Sequence, residues 1–241
     1  MSRLPLISLI NFIIAVQFST LIKRLVTILC ISLIPAIAGA QVRYSLSADL
    51  SVIRSFKKQQ RFTTIGQTIA GNFHITPKTG AYAWFAYSAK GKFSNDLLAA
   101  AKSPATTPAT IPYQNRASLD FRHISLGLRQ YIKGSAFNEE GWNLYGIAGF
   151  GIMFGRIVNT HNTHIDTAQY QAPVLSGTGK IRRLTLDLGI GYEWSFPGGL
   201  YLFSEARMLC PVSDYPSAYL LVSDDAPLAG MLTIGVRMLF D

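Results

Sequence analysis

A strict alternation of apolar and polar residues from Leu184 to Phe196 is the feature that most constrains this chain. Leu, Leu, Leu, Ile, Tyr, Trp and Phe occupy every second position, with Thr, Asp, Gly, Gly, Glu and Ser between them. A period of two residues predicts a β-strand, because successive side chains point to opposite faces. So long a strand, with an apolar face that ends in aromatics, is typical of a membrane-spanning barrel. Pro197-Gly198-Gly199 predicts a turn after it, and residues up to Leu209 predict its partner strand.

The N-terminal segment has the three regions of a secretory signal peptide. Lys23-Arg24 precedes an apolar run that ends in Ala38-Gly39-Ala40, so we expect a signal peptide over 1–40, cleavage before Gln41 and a barrel domain over 41–241. The extra apolar run at 4–22 fits an extended signal or a misassigned start codon. An uncleaved helical anchor is the rival interpretation.

The remaining chain has a composition that restricts its class. Residues 1–40 hold three basic residues and no acidic one, so 19 basic and 13 acidic residues remain, a net charge of +6. Cys210 is the only cysteine left, which excludes an internal disulfide. No second run of about 20 apolar residues follows the signal, so helical membrane spans are excluded. Only alternating strands in a closed barrel can then place this much apolar surface in lipid.

Alternating segments predict eight strands, at 42–56, 62–75, 81–93, 119–132, 142–158, 181–196, 200–209 and 231–240. Short links at 77–80, 134–141 and 197–199 alternate with long connections at 94–117, 159–179 and 211–228. The prolines of 94–117 argue against strand or helix there. Outer-membrane barrels combine an even strand number with short periplasmic turns and longer outside loops.

The predicted fold class is therefore all-β: an eight-stranded antiparallel up-and-down transmembrane β-barrel preceded by a cleaved signal peptide. The loop pattern places both termini in the periplasm. Five lipid-facing aromatic residues then fall at periplasmic strand ends, as an interfacial aromatic girdle would: Phe73, Trp142, Trp194, Phe196 and Phe240.

Three segments resemble the small eight-stranded bacterial outer-membrane proteins of the OmpX, OmpW and OmpA-barrel class. They are SLGLRQYI at 125–132, LYGIAGFGI at 144–152 and the terminal TIGVRMLF at 233–240. The resemblance covers 42–241 and implies a Gram-negative outer-membrane location. Asp241 departs from the pattern, because such chains usually end on the aromatic residue. No peptidoglycan-binding domain follows, so cell-wall anchoring is not implied.

The inward-facing positions carry many charges. Charges away from bulk water persist only when they are paired, and an eight-stranded barrel holds side chains or one small ligand. We therefore expect a salt-bridge network that plugs the lumen, made by Arg129, Asp187, Glu193, Glu205, Arg207 and Arg237, with Arg183 also facing inward. An acid/base pair of Glu193 and Glu205 is the alternative.

His123 and Ser125 both face the lumen near the outer end of the fourth predicted strand. The pattern F-x-H-x-S is similar to the His and Ser of the lipid A deacylase PagL, in which His acts as base on Ser. Asp187 and Asp49 lie at a similar height, but neither is on an adjacent strand. We therefore expect the acid that would orient His123 to be absent.

Two further groups of residues could bind ions. Arg122, Lys180 and Arg182 face outward at the outer rim, where cations can reach lipopolysaccharide phosphates or extend into the interface. His161 and His164, with Asp166, could bind a metal from a loop, but two histidines without a rigid scaffold favour a solvated loop. We expect no metal and no cofactor.

The sequence thus predicts a non-enzymatic outer-membrane barrel with a plugged lumen, whose loops act in surface interaction or envelope integrity. The alternatives are a small-solute, porin-like channel, an accessory subunit of a secretion or transport complex, and a lipid A deacylase. Expected partners are outer-membrane lipid and lipopolysaccharide, the barrel assembly machinery during biogenesis, and an envelope protein as a further candidate. Nucleic acid is not an expected partner.

Overall fold

The computed structural model describes residues 43–213, 217–221 and 227–240. The predicted signal peptide at 1–40 and its cleavage site before Gln41 lie outside these residues. The strands are β1 (Arg43–Ser55), β2 (Thr63–His74), β3 (Thr79–Ser88), β4 (Gly91–Ala101), β5 (Thr110–Lys133), β6 (Trp142–His161), β7 (Tyr170–Gln171), β8 (Gly177–Phe196), β9 (Leu200–Pro211) and β10 (Ala229–Phe240). One short 3-10 helix, Lys58–Gln60, lies between β1 and β2.

Eight of these strands close into an antiparallel barrel. The order around the wall is β1, β2, β3, β5, β6, β8, β9 and β10, and β10 pairs with β1 to complete the ring. Closure on the other side comes from β3 and β5, which pair from Thr79↔Gln130 to Tyr87↔Arg122. The predicted eight-stranded antiparallel barrel is confirmed.

An outer extension prolongs one side of the barrel. We use this name for β4, the part of β5 that pairs with it (110–119), the end of β6 and the segment 162–176. β4 pairs with β5 from Gly91↔Leu119 to Ala100↔Thr110, and its other edge pairs with β7. The prediction of an irregular connection at 94–117 was therefore wrong.

The prolines of this region explain the error. Pro104 and Pro108 lie in the turn between β4 and β5, and only Pro112 lies within a strand. Gln114 exchanges hydrogen bonds with Asn162 beside it. Residues two apart in a strand point their N–H groups to the same side, so the nitrogen of Pro112 faces the same edge of β5 as the N–H of Gln114. β6 has already ended at that level, so the missing N–H of Pro112 costs no ladder hydrogen bond.

The second predicted long connection, 159–179, is also shorter than expected, because β6 continues to His161 and β8 begins at Gly177. The intervening segment packs on the β4–β5 hairpin. Its Ile165 and Tyr170 form a small apolar cluster with Ala99 and Tyr113, which stabilises strands beyond the barrel.

The outer wall of the barrel is apolar. Outward residues such as Ile65, Leu126 and Leu232 are each more than 60% exposed, as in a barrel surrounded by lipid. The five aromatic residues of the predicted girdle all lie on strand ends beside the short turns. Trp142 and Trp194 are direct cross-strand partners there. In the described residues no helix has the length and apolarity needed to cross a membrane.

Candidate functional site

An ion pair between Glu193 and Arg237 occupies the barrel interior nearest the short turns. Arg237 donates from Nη2 to Glu193 Oε1 at 2.7 Å and from Nε to Oε2 at 3.1 Å, and both side chains are fully buried. Asn143 Nδ2 also donates to Glu193, at 2.9 Å. The guanidinium of Arg237 lies 3.6 Å from the centroid of the Tyr201 ring. Such a two-pronged pair holds both groups in one orientation.

A second cluster surrounds Glu205 one layer further along the barrel. Arg207 donates from Nε to Glu205, Tyr145 donates its hydroxyl at 3.0 Å, and Arg129 Nη2 lies 3.5 Å away. Arg129 also reaches Glu193, with Nη1 3.9 Å from Oε2. It thus links the two carboxylates, which are on different strands. Glu193 and Glu205 are close, but each carboxylate is paired with arginine, which does not favour the alternative of an acid/base pair.

Aromatic rings fill the space above these pairs. The guanidinium of Arg207 lies 4.4 Å from the centroid of Trp84, and the ring of Trp84 meets His123 edge-on at 5.0 Å. Arg183 is also buried in the interior. The sequence did not single out Trp84, although its inward parity on β3 could have revealed it.

His123 has an acidic neighbour, contrary to the expectation from the sequence. Its Nε2 lies 3.5 Å from Asp187 Oδ2 and 2.7 Å from Thr185 Oγ1. The expectation failed because it considered adjacent strands only, whereas a narrow barrel brings side chains together across its interior. Ser125 donates instead to the carbonyl of Phe150 at 3.3 Å. The residues of a Ser–His–Asp relay are thus near one another, but Asp187 approaches the same nitrogen as Thr185, not the far side of the ring.

The short-turn end of the barrel is closed by the turn 134–141. Ala136 is fully buried, and its carbonyl accepts a hydrogen bond from Arg237 at 3.3 Å. Phe137 packs edge-on against His74, at a centroid distance of 5.6 Å, and His74 Nε2 lies 2.9 Å from Ser45 Oγ. The apolar Ala-Phe pair in a polar turn was the sequence signal for this closure.

The opposite end is covered by loop residues. Leu220 is buried with Phe62, Leu119, Ile157 and Ile181. Asn159 donates to the carbonyl of Tyr219 at 2.8 Å and to that of Leu175 at 3.1 Å. Leu175 and the short described segment 217–221 are thereby tied over this end of the barrel.

Four cations lie on the outward face just above the apolar wall. Arg122 and Arg182 both pair with Phe154 of the intervening strand, and one rung further out Lys180 pairs with Arg156. All four cations are exposed, and Asp120 is the partner of Arg156 on its other side. Three of these cations are predicted from the sequence, and the fourth, Arg156, shares the outward parity of Phe154. Below them the same three strands carry Ile124, Ile152 and Leu184.

The two histidines of the outer extension have different surroundings. His161 packs against Tyr113 at a centroid distance of 4.6 Å, and His164 is exposed. Burial lowers the pKa of His161 below its usual 6.5 and raises the pKa of Tyr113 above its usual 10. Within the described residues, no three His, Cys, Asp or Glu side chains lie close enough to share a metal ion.

A closed eight-stranded antiparallel barrel with an apolar wall and charged interior is the fold of the small bacterial outer-membrane barrel proteins. No protein-family model and no curated protein matches the sequence. Among solved structures, the chain is similar to Neisserial surface protein A, with a TM-score of 0.52 and 10% identity over 82% of this chain and 97% of that one. This likeness confirms the resemblance in fold that the sequence predicted.

Two other solved structures match with lower TM-scores. Ail, the attachment invasion locus protein of Yersinia pestis, has a TM-score of 0.46 and 13% identity over 83% of this chain and all of that one. OprG of Pseudomonas aeruginosa has a TM-score of 0.47 and 12% identity over 83% of this chain and 96% of that one.

Proposed function

We propose that the chain is a non-enzymatic protein of the bacterial outer membrane, with a plugged lumen and functional residues on its outer surface. The observation that carries this proposal is the filled interior. Arginine–carboxylate pairs and aromatic rings occupy the lumen, the turn 134–141 covers one end, and Leu220 and its neighbours cover the other. A solute would have to break buried ion pairs to pass, which argues against the small-solute channel.

The orientation follows from the lengths of the connections. The start of β1 at Arg43, the end of β10 at Phe240 and the short turns are at one end, and the outer extension is at the other. Since outer-membrane barrels have short turns in the periplasm, both termini are periplasmic and the outer extension projects from the cell. It presents the surface through which an envelope protein would bind.

Lipopolysaccharide is the partner best supported by the outer rim. Arg122, Arg156, Lys180 and Arg182 occupy two successive rungs of three neighbouring strands. Phosphates of lipid A would lie at this height, while its acyl chains would cover the apolar residues below. Each basic residue near an anionic lipid surface contributes about 1 kcal/mol to binding. The cluster therefore ties the barrel to the outer leaflet and supports a role in envelope integrity.

A second candidate function, deacylation of lipid A, is favoured by one observation, the approach of His123 to Asp187 at 3.5 Å. Two others oppose it. Ser125 donates its hydroxyl to a backbone carbonyl, and both His123 and Ser125 are buried in the interior. An acyl chain would reach them only through an opening in the barrel wall.

Lipopolysaccharide binding by purified protein tests the proposal. The variant Arg122→Gln/Arg182→Gln should bind lipopolysaccharide roughly 30-fold more weakly than the wild type, on the basis of about 1 kcal/mol for each cation. The matched control is Lys78→Gln/Lys133→Gln, which removes two cations at the short-turn end and should bind as the wild type does. Equal losses in both variants, or no loss in either, would contradict a specific rim site.

A further inference from the structure

A second lipid-facing feature begins on β8, below the rim cations, where an apolar groove of about 620 Å³ crosses β8, β9, β10 and β1. Five outward side chains, each 37–66% exposed, form most of its walls: Val52, Leu188, Ile190, Met208 and Leu232. The cation cluster of the outer rim lies on β5, β6 and β8, and none of its four residues lines this groove.

Two small residues create the groove. Ala206 lies in one rung between Leu232 and Ile190, and Gly230 lies in the next between Arg54 and Met208. Large side chains surround each of them, so the wall is recessed at both positions. At Gly230 the ring of Phe56 lies in the recess, because a Cβ there would come within 2.8 Å of it, so the open part of the groove lies at Ala206.

One end of the groove is polar, because it is lined by Arg54 and Thr63 beside Phe56. This end lies where β1 and β2 meet their connecting segment, at the same end of the barrel as the outer extension. Arg54 is exposed and faces outward. A cation at the rim above an apolar recess is complementary to a lipid, whose anionic headgroup lies at the interface while its chain lies in the hydrocarbon.

We propose that this groove binds one acyl chain of a lipopolysaccharide molecule whose phosphate pairs with Arg54. The choice of lipopolysaccharide over phospholipid rests on the proposed function, because that function places Arg54 in the outer leaflet. A second copy of the chain fits less well, since a side-by-side dimer through this face would bury Arg54 against an apolar wall. The groove is thus a second lipid site, separate from the rim cations.

The experiment counts lipids on barrels purified from outer membranes in mild detergent, by native mass spectrometry. Ala206→Phe fills the groove with an outward ring, and Arg54→Gln removes the cation without filling it. The control, Ala83→Phe, places the same ring on the outward face of β3, away from the groove. Heat-modifiable migration on gels verifies that each variant folds, and Ala206→Leu replaces Ala206→Phe if that variant does not.

We expect Ala206→Phe to lose one bound lipopolysaccharide, Arg54→Gln to retain it at lower occupancy, and Ala83→Phe to match the wild type. The inference is overturned if Ala206→Phe keeps the full number, if the molecule lost is a phospholipid, or if the wild type is a dimer that Ala206→Phe converts to a monomer. The experiment distinguishes the two lipid sites. If Ala206→Phe loses a bound lipopolysaccharide and Arg122→Gln/Arg182→Gln loses none, the groove site is supported and the rim site is refuted.

Discussion

Glu193 and Arg237 form a two-pronged ion pair inside the barrel, at 2.7 and 3.1 Å, although β9 separates their strands. The pair links β8 directly to β10 through side chains, in addition to the backbone ladders that each of these strands makes with β9. Because neither group is exposed, each depends on the other to offset the loss of hydration.

Removing one partner should therefore be costly. We expect Arg237→Ala to lower the free energy of unfolding in detergent by about 3–5 kcal/mol, because it leaves the buried Glu193 carboxylate without its main partner. Arg237→Met combined with Glu193→Gln should recover most of this loss. Denaturant unfolding followed by tryptophan fluorescence measures both. The exposed rim arginine is the control, and Arg122→Ala should change stability by less than about 1 kcal/mol.

Lipid A should be unaffected by the chain. In a host without its own deacylase, we expect expression of the wild type to leave lipid A acylation unchanged, because Ser125 is not bonded to His123 and both are buried. Mass spectrometry of extracted lipid A measures this. The non-enzymatic proposal fails if one acyl chain is lost and the loss depends on both Ser125 and His123.

Alternation was sufficient to predict the barrel, because a period of two residues assigns each side chain of a strand to lipid or lumen without knowledge of the neighbours. The same parity predicted that Arg129, Glu193 and Arg237 face inward. It could not rank contacts across the interior, so the approach of Asp187 to His123 was missed.

The outer extension was missed for a different reason. Its strands contain Ser, Asn, Thr and Pro, so their alternation is weak, and the position of Pro112 at an open strand edge becomes evident only from the pairing. The metal-free interpretation of His161 and His164 and the roles of the rim cations remain predictions.

Acid should loosen the outer extension through His161. Burial holds the pKa of His161 below 6.5, its value in an unfolded chain. Above pH 6.5 both states are neutral, so the contribution to stability is complete. It is lost as the pH falls through the lower pKa of the folded state, because the unfolded state binds the proton first. After correction for the intrinsic exchange rate, which is itself slower at lower pH, the protection of amides in 110–119 should therefore be lower at pH 5 than at pH 7.5.

Two variants test the assignment to His161. The loss of protection at pH 5 should disappear in His161→Gln and persist in His164→Gln, whose side chain is exposed in the wild type. Persistence in both variants would show that another group is responsible.

The orientation of the barrel can be tested with trypsin on intact cells. Lys102 lies at the exposed turn between β4 and β5, whereas Lys78 and Lys133 lie at the opposite end. We expect cleavage after Lys102, abolished by Lys102→Gln, and no cleavage at the other two lysines until the outer membrane is permeabilised. Cleavage at Lys78 in intact cells would invert the proposed topology.

Conductance in planar lipid bilayers tests the closed lumen most directly. Folded wild-type protein, verified by heat-modifiable migration, should insert without producing stable open channels, because paired arginines and carboxylates fill the lumen and loops cover both ends. Arg237→Ala, which breaks the contacts of this side chain with Glu193 and Ala136, should produce brief, irregular openings instead. Large, steady conductance from the wild type would contradict the plugged barrel and support the solute channel.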